Sequence, residues 1–399
     1  MEYHISDKMQ SIKGSIIREL FKLAKDPNMI AFGGGNPAPE TFPVDEIAQI
    51  VAQVMKDAPV SVLQYGLSEG YTPLRETMKK HLEKTEGISF EENELLIVSG
   101  GQQSADLATK VFVNEGDVIL TEDPAFVGCL NTFRSYGAKL VGIPMQPDGM
   151  DIEVLEKEIV SHKNIRMLYT IPNFQNPTGI TTSLEKRKKI YELCKKHNVI
   201  IFEDNPYGEL RFSGEAVPTI KSMDKDGIVI YSGSFSKVMA PAFRLGFIVF
   251  NKELTSRLTV AKQCTDVHST LLFQYICDEY INKYDYDGHI KANRDLYRKK
   301  CSLMMSEIEK KMHPKVKFGH PEGGLFVMAF MPEGIDSYPF VQEGIKRGVY
   351  CVPGIAFSVD EAKPSNGFRM CYSTPSDENI VRGIDIMGKL SYEWIEGTV

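Results

Sequence analysis

A lysine lies in an unusual setting in the segment "YSGSFSKVMAPAFRLGFIVF", which spans residues 231–250. Lys237 follows two serines, Ser234 and Ser236, and stands between two apolar runs that have the composition of buried strands. The ordinary alternative is a solvated surface charge. A lysine at the end of a buried strand, however, loses water, which lowers its pKa and leaves a nucleophilic amine for Schiff-base chemistry. Arg244, seven residues later, offers a fixed fork of N–H donors that suits phosphate.

A carboxylate and an amide follow two other apolar runs. Asp204 comes directly after "VIIFE", and Tyr207 lies three residues further on. Asn176 begins the tetrapeptide "NPTG" after the run that ends in "LYTIPNFQ". The ordinary alternatives are a helix cap or turn for Asp204 and a turn before a helix for Asn176. Groups that follow parallel strands face a common ligand crevice at the carboxyl edge of a sheet, so a shared site is the second interpretation.

The glycine-rich stretch "SGGQQS", residues 99–104, is predicted to open a helix, whose first N–H groups bind anions. It fits neither the dinucleotide fingerprint nor the P-loop, so neither ligand class is indicated. The marked residues fit one ligand. Lys237 would capture an aldehyde, Arg244 with the serines and the helix start near Gln102 would hold a phosphate, and Asp204 would pair with a basic ring nitrogen. Those features belong to pyridoxal 5′-phosphate.

Short apolar runs alternate with helical stretches between about residues 94 and 250. The runs are residues 95–98, 118–120, 167–169, 199–202, 228–230 and 247–250. Thr182 and Glu185 have the spacing of a capping box before a helix. This alternation predicts an α/β fold with a mostly parallel sheet flanked by helices. After about residue 290, a charged helix, a strand-like segment at 324–329 and a closing helix predict a smaller α+β unit.

Composition restricts the class of protein. The chain has 399 residues, 42% apolar and 25% charged, with a formal net charge of −7, as expected of a globular protein with more than one domain. No basic stripe indicates nucleic acid, and no apolar run approaches the ~18 residues of a membrane span. The opening lacks the apolar core of a signal peptide. The seven scattered cysteines predict free thiols and a cytoplasmic protein. We expect no metal site.

The chain resembles the fold-type I, class I and II aminotransferases. The resemblance rests on "NPTG", "FEDNPYGEL", "SGSFSKVMAPAFRLGF", "PEGGLFV" and "GFRMCYSTP", in family order, and extends over nearly the whole chain. It is greatest for the branch of 2-aminoadipate, kynurenine and other aromatic or branched-chain aminotransferases. It implies a seven-stranded-type, mostly parallel sheet and three parts: an amino-terminal segment (1–45) that contributes to the small domain and substrate pocket, a large cofactor-binding domain (46–290) and a small domain (291–399).

The resemblance also implies roles for the cofactor-binding residues. Lys237 would link covalently to pyridoxal phosphate, and Asp204 would face its ring nitrogen. Asn176 and Tyr207 would bind the phenolic oxygen of the ring. The phosphate-binding residues would be Gly101, Gln102, Ser234, Ser236 and Arg244. Two positions depart from the usual family pattern: Phe126 would stack on the ring without the hydroxyl of a tyrosine, and Gly101 would offer only its backbone N–H.

Further residues are implied for the substrate and the partner. Arg369 would pair with the α-carboxylate of the amino acid, and Gly35 would lie against the substrate. Arg18 is assigned either to an acidic substrate side chain or to a solvated helix face. Tyr65 would reach the cofactor phosphate of a second subunit, which implies a homodimer with shared sites. The alternative for Tyr65 is an aromatic buried within its own subunit.

The implied reaction is transamination between an L-amino acid and 2-oxoglutarate, with pyridoxamine phosphate as the intermediate cofactor form. Another pyridoxal-phosphate reaction on amino acids, a β-lyase or a decarboxylase, uses the same core residues and is the main alternative. A ligand-sensing transcriptional regulator with this fold is a second alternative. It is disfavoured because only about 30 residues precede "GGGNP", too few for a DNA-binding module, and because the chain is acidic.

Overall fold

The computed structural model describes residues 3–10, 12 and 28–398. Its strands, in chain order, are β1 (Ile30–Ala31), β2 (Asn93–Val98), β3 (Val118–Asp123), β4 (Lys139–Gln146), β5 (Gly149–Met150), β6 (Ile165–Thr170), β7 (Ile200–Asp204), β8 (Val229–Ser234), β9 (Gly246–Asn251), β10 (Lys317–Phe318), β11 (Phe326–Phe330), β12 (Val349–Tyr350), β13 (Val352–Pro353) and β14 (Gly367–Cys371). In the part that the model describes, no helix has the length and apolar character needed to cross a membrane.

The described α-helices are named in the same way. They are α1 (Asp7–Gln10), α2 (Val44–Asp57), α3 (Pro59–Leu63), α4 (Thr72–Glu86), α5 (Gly101–Phe112), α6 (Val127–Ser135), α7 (Ile152–Ser161), α8 (Leu184–His197), α9 (Ile220–Met223), α10 (Thr255–Gln263), α11 (Leu271–Lys283), α12 (Tyr286–Lys311), α13 (Ser337–Lys346) and α14 (Asp377–Ile395). Several carry one apolar face toward a sheet and one charged face toward water, as amphipathic surface helices do.

The large sheet has the strand order β2-β9-β8-β7-β6-β3-β4-β5. Neighbours from β8 through β4 are parallel, whereas β9 runs against both of its neighbours and β5 is a short antiparallel return. Each of the six predicted apolar runs overlaps one of these strands, although Val199 and Ile228 lie one residue before β7 and β8, and the mostly parallel sheet is confirmed. The sequence did not indicate β4, because its side chains are largely half-buried or exposed and so form no continuous apolar run.

The parallel strands bring the chemical residues together. β3, β6, β7 and β8 are neighbours and run in one direction, so their carboxyl ends lie along the same edge of the sheet. Asp204 is the last residue of β7, and Ser234 is the last residue of β8. Asn176 lies in the loop that follows β6. This edge is where open α/β sheets bind their ligands.

A small antiparallel sheet, in the order β10-β11-β14-β13, forms the second part of the structure. Arg369 lies in its β14, opposite Met328 of β11 and Val352 of β13. The long helix α12 packs against α14 beside this sheet. The predicted boundary at residue 290 falls within α12, so the chain passes between the two sheets in one continuous helix. The three-part division of the chain stays a prediction.

The predicted capping box is wrong by one residue. Helix α8 begins after Ser183, whose hydroxyl accepts the backbone N–H of Lys186. Thr182 lies outside the helix, because its N–H donates to Pro172 and its carbonyl accepts from the side chain of Arg187. The loop therefore engages the backbone of Thr182 and leaves the capping position to the next residue, which also belongs to the preferred types.

Candidate active site

A cavity of about 310 Å³ opens where the carboxyl edge of the large sheet meets β14 of the small sheet. Most of the residues marked from the sequence line it. They are Gly35, Gly101, Gln102, Phe126, Asn176, Asp204, Tyr207, Ser234, Ser236, Lys237, Arg244 and Arg369. Tyr65 does not line this cavity, and Arg18 lies outside the described residues. The structure therefore brings together residues that are up to 334 positions apart in the chain, from Gly35 to Arg369.

A larger groove of about 830 Å³ lies against α12. Its lining mixes charges of both signs, including Glu86, Arg211, Arg294 and Asp295, and contains none of the residues marked for chemistry. Several of these charges neutralise one another or bond to backbone carbonyls, as on an ordinary solvated surface. We therefore place the chemistry in the smaller cavity.

Lys237 ends a short 3-10 turn that follows β8, and the turn begins where the Ser234 hydroxyl accepts the N–H of Ser236. The Lys237 ammonium donates to the carbonyl of Gly35 at 2.8 Å. No carboxylate of the described chain forms an ion pair with it. Burial, helped by the nearby cationic side chain of Arg369, lowers the pKa of Lys237 to about 8. More of this amine than of an ordinary lysine is therefore neutral and nucleophilic near neutral pH.

Asp204 is buried at the end of β7. One of its oxygens, Oδ2, accepts from the Tyr169 hydroxyl at 3.2 Å. Among the described residues, no cation forms an ion pair with it. Burial raises the pKa of Asp204 to about 7, and the carboxyl of Glu122 adds to the shift. A cationic ring nitrogen placed against Asp204 would compensate this cost and return the group to its ionised form.

The start of α5 and Arg244 lie together at one end of the cavity. Gly100 caps the helix with a φ of 83°, and a Cβ atom there would lie 2.6 Å from the Arg244 guanidinium. The backbone conformation therefore favours glycine, and a larger residue would also have to displace the Arg244 side chain. Arg244 makes only long hydrogen bonds of 3.4 and 3.5 Å to backbone carbonyls. A helix start and an arginine without a carboxylate partner in the described chain could together hold a phosphate.

Gly101, Phe126 and Gln102 line the cavity next to this end. A Cβ atom at Gly101 would make only ordinary contacts, 3.6 Å from Ser232 and 3.8 Å from Asp204, so a hydroxyl-bearing side chain would fit there. Phe126 precedes α6 and lines the cavity. The side chain of Gln102 is turned toward α6, where it donates to the Gly128 carbonyl at 2.9 Å. Only the backbone of Gln102 is thus left to face an anion.

Arg369 is buried without a carboxylate partner among the described residues. Its Nη1 donates to Asn176 Oδ1 at 2.7 Å and its Nη2 to the Gly33 carbonyl at 2.8 Å, while the buried Nε has no partner. The guanidinium carbon lies 4.2 Å from the ring centre of Phe326 and 4.8 Å from that of Phe357. Burial lowers the pKa of Arg369. A buried guanidinium held by neutral groups alone attracts an anionic ligand.

Three aromatic residues, Tyr207, Phe326 and Phe357, lie close to Arg369. Tyr207 is buried, which raises the pKa of its hydroxyl, and its ring meets that of Phe326 edge-on at 5.7 Å. Sequence reasoning did not single out Phe326 or Phe357. The signal for Phe326 was its position in the strand-like motif "PEGGLFV"; Phe357, in a short 3-10 turn, had none.

Tyr65 lies on the surface, away from the cavity. Its side chain is 81% exposed and packs edge-on against the ring of His268, with ring centres 5.7 Å apart. The alternative of an aromatic buried within its own subunit is therefore wrong. Leu63 and Leu67 on either side are also exposed, at 72% and 61%. An exposed aromatic flanked by exposed aliphatic side chains is typical of an association surface.

Known proteins similar to this chain match it over nearly its whole length. The family model "Aminotransferase class I and II" matches residues 27–386. The chain is 38% identical to aromatic-amino-acid aminotransferase 1 of Thermococcus litoralis, over 96% of this chain and 93% of that protein.

Two solved structures extend the likeness to three dimensions. The multiple substrate aminotransferase of Thermococcus profundus superposes with a TM-score of 0.94 at 36% identity, covering 98% of each chain. The alpha-aminoadipate aminotransferase of Thermus thermophilus, complexed with N-(5′-phosphopyridoxyl)-L-leucine, superposes with a TM-score of 0.90 at 32% identity, covering 99% of this chain and 98% of that one.

We predict that cofactor-free Lys237→Met is more stable than the cofactor-free parent near neutral pH. The pKa of Lys237 is lowered to about 8 in the folded protein, against 10.5 for an ordinary lysine. Below pH 8 the folded state therefore holds a buried charge that the unfolded chain solvates better. Above pH 10.5 both states are neutral. The Tm advantage of the variant should be full at pH 7 and vanish as pH rises from 8 to 10.5, as measured by circular dichroism.

Lys252→Met is the control for this experiment. Lys252 is a half-exposed lysine that pairs with Glu92 on the surface. Its replacement should give no gain in Tm at pH 7. A Lys237→Met advantage that stayed constant up to pH 10.5 would contradict the lowered pKa.

Proposed function

The chain belongs to the class I and II aminotransferases, and from this premise we propose that it transfers the amino group of an aromatic, 2-aminoadipate-type or branched-chain L-amino acid to 2-oxoglutarate. The enzyme depends on pyridoxal phosphate, and its fold is that of the fold-type I enzymes. One observation supports the proposal most directly. Lys237, Asp204 and Arg369 face one cavity, and none has an oppositely charged partner among the described residues.

The groups around the cavity fit the cofactor at each of its ends. When bound, pyridoxal phosphate supplies an electron sink next to the reacting carbon. The start of α5 and Arg244 would hold the phosphate, and Asp204 would hold a proton on the ring nitrogen. Asn176 and Tyr207 would bind the phenolic oxygen, and Phe126 would cover one face of the ring. Lys237 is the amine within the cavity that can form the covalent link.

Lys237 is also the group that moves protons. Once a substrate amine takes the place of Lys237, the freed Lys237 amine can remove the proton from the substrate α-carbon. The same amine can then deliver this proton to a different carbon, on the cofactor side. A pKa lowered to about 8 suits this work, because a general base is most efficient when its pKa lies near the working pH. Asp204 would support the same step by keeping the ring nitrogen protonated. Attraction between its carboxylate and a ring cation is worth ~4 kcal/mol at 4 Å and an effective dielectric near 20.

The substrate is held by a cation and selected by apolar walls. Arg369 would bind the α-carboxylate through its fork, next to Gly35. Ile171 and Phe326 line the same cavity and would accept an apolar or aromatic side chain. Two of the similar proteins are an aromatic-amino-acid and an alpha-aminoadipate aminotransferase, which supports the same donors. Contact between Arg18 and an acidic side chain of the substrate stays a proposal.

The test of the function is a single half-reaction. The loaded enzyme is mixed with a panel of amino donors in the absence of an acceptor. We expect the absorbance of the bound cofactor to change to that of the pyridoxamine form, with one oxo acid released per site. An aromatic donor or 2-aminoadipate should give the fastest change. Release of ammonia with pyruvate or of carbon dioxide, with the cofactor form unchanged, would instead identify a lyase or a decarboxylase.

Arg369→Lys tests the carboxylate site. The lysine keeps the charge but loses the two-pronged geometry, so binding of the α-carboxylate weakens. We expect kcat/KM for the amino donor to fall at least about tenfold, or about 1.4 kcal/mol. Lys317→Met, on the edge strand β10 away from the cavity, is the control and should leave kcat/KM unchanged. An unchanged value for Arg369→Lys removes this residue from the site.

We further propose a homodimer with shared sites in a reducing compartment. Tyr65, exposed beside Leu63 and Leu67, would reach the cofactor phosphate of the second subunit. Covering these side chains with a second copy would remove apolar area from water. All seven cysteines are free thiols, and most are buried, which supports the cytoplasm as the compartment.

Mixing two defective variants tests the shared sites. We expect Lys237→Ala and Tyr65→Ala chains each to be poorly active at limiting cofactor. The two variants are unfolded and then refolded together. If Tyr65 serves the second subunit, each heterodimer contains one site with both defects and one with neither. Activity should then rise well above the mean of the two parents. If Tyr65 serves its own subunit, every site keeps one defect and mixing brings no gain.

A further inference from the structure

A buried carboxylate holds the loop that carries Asn176. Glu122, in β3, is fully buried, yet no cation of the described chain pairs with it. Its oxygens accept from the Thr170 hydroxyl at 2.6 Å, from the Ile171 N–H at 3.1 and 3.2 Å, and from the Gln175 amide at 3.0 Å. The Ile171 and Gln175 groups can only donate. The site is therefore built for the acceptor oxygens of a carboxylate.

Gln175 connects Glu122 by hydrogen bonds to two walls of the cavity. Its Nε2 donates to Glu122 and also to the carbonyl of Pro124 at 2.8 Å. Its Oε1 accepts from both the N–H and the hydroxyl of Thr178, at 2.9 and 2.6 Å. Pro124 lies two residues before Phe126, and Gln175 directly precedes Asn176. One network thus fixes the turn that carries Phe126 relative to the loop that carries Asn176.

The two ends of the same loop are held by a buried cation. Arg187, in α8, donates to the Pro172 carbonyl at 2.8 Å, to Asn173 Oδ1 at 2.7 Å and to the Thr182 carbonyl at 2.9 Å. The middle of the loop is closed on itself by backbone hydrogen bonds from Gln175 to Ile180 and from Gly179 to Gln175, and Glu122 with the Gln175 side chain ties it to β3. A shift of the middle would move Asn176, whose Oδ1 accepts from Arg369 Nη1 at 2.7 Å.

We propose that Glu122 is a positioning residue for recognition of the substrate α-carboxylate, acting through Gln175 and Asn176 on the orientation of the Arg369 guanidinium. The inference rests on the proposed role of Arg369. The guanidinium makes two short hydrogen bonds, from one nitrogen to Asn176 and from the other to the Gly33 carbonyl, and it lies over the rings of Phe326 and Phe357. Loss of the hydrogen bond to Asn176 removes one of the two contacts that direct its N–H groups, which weakens binding of a carboxylate more than it slows proton transfer at Lys237.

The test is Glu122→Gln, which keeps the size and shape of the side chain. Its new NH2 group faces the Ile171 N–H at either oxygen position, and the Gln175 amide at one of them, so at least one hydrogen bond of the network is lost. We expect KM for the amino donor to rise about tenfold, while kcat stays within about twofold, because Lys237, which moves the proton, makes no hydrogen bond to this network. Cofactor absorbance, recorded for each variant, checks that loading is complete.

Glu203→Gln is the matched control. Glu203 is equally buried in β7, which is separated from β3 by β6, and its oxygens accept from the backbone N–H groups of Ile220 and Lys221 at 2.9 and 2.7 Å. These side-chain hydrogen bonds hold α9 and not the Asn176 loop. This variant should lower the Tm to a similar degree and leave KM unchanged. Equal rises of KM in Glu122→Gln and Glu203→Gln would reduce Glu122 to a structural role and overturn the inference.

Hydrogen–deuterium exchange measures the anchor apart from activity. In Glu122→Gln, amides of residues 170–182 should exchange faster, with little change around α9, and Glu203→Gln should show the reverse. Unchanged exchange in residues 170–182 would show that Glu122 does not hold the loop. Faster exchange, with KM unchanged in both Glu122→Gln and Arg369→Lys, would locate the failure in the proposed role of Arg369 and overturn the inference with it.

A second variant keeps the test decisive if Glu122→Gln folds poorly. Thr170→Val removes one donor to Glu122 and keeps the side-chain shape, so KM should rise in the same direction by a smaller factor. A KM that is unchanged in Thr170→Val would contradict the proposal.

Discussion

Burying Lys237, Asp204 and Arg369 with no counter-ion among the described residues costs the folded protein free energy, and the rest of the structure is arranged around this cost. Each group loses hydration, and the pKa of each is displaced toward its neutral form. The protein gains nothing from these charges until a ligand supplies the missing partners. An aldehyde for the amine, a ring cation for the carboxylate and a substrate carboxylate for the guanidinium are the partners that the family chemistry provides. The cost of the empty site is therefore part of the affinity of the filled one.

Other buried charges of this protein show that the pattern is specific to the cavity. Arg187 is as deeply buried as Arg369, but every one of its donors reaches a carbonyl or amide oxygen. Lys221 pairs with Asp224 and Lys262 with Asp266. Away from the cavity, buried charges are thus saturated by the protein itself. The contrast separates side chains that hold the fold from side chains that await a ligand, although their residue types and burial are the same.

Sequence patterns identified the large sheet and most of the cavity wall for physical reasons. Strands buried on both faces give continuous apolar runs, and the polar residues after them must lie at one edge, so Asp204 and Lys237 were predictable from position alone. Arg369 was predictable only through the family motif, because its strand belongs to a second sheet whose docking leaves no local signal. Glu122 and Arg187 were missed, since an acid at the end of a strand and a base in a charged helix resemble solvated residues until their partners are known. The exposure of Tyr65 also needed coordinates, because an aromatic residue gives the same sequence signal on a surface as in a core.

The junction between the two sheets explains why this cavity can recognise a complete substrate. Asn176 belongs to the loop after β6 of the large sheet, and Arg369 belongs to β14 of the small sheet, so their 2.7 Å hydrogen bond crosses from one sheet to the other. A substrate carboxylate bound at Arg369 would share this crossing point, whereas its amine would meet Lys237 on the large sheet. The two ends of one small molecule would therefore be held by different parts of the fold, and their separation is set by how the sheets are packed. Because α12 runs continuously from one part to the other, the two parts are joined by a helix rather than by a flexible linker.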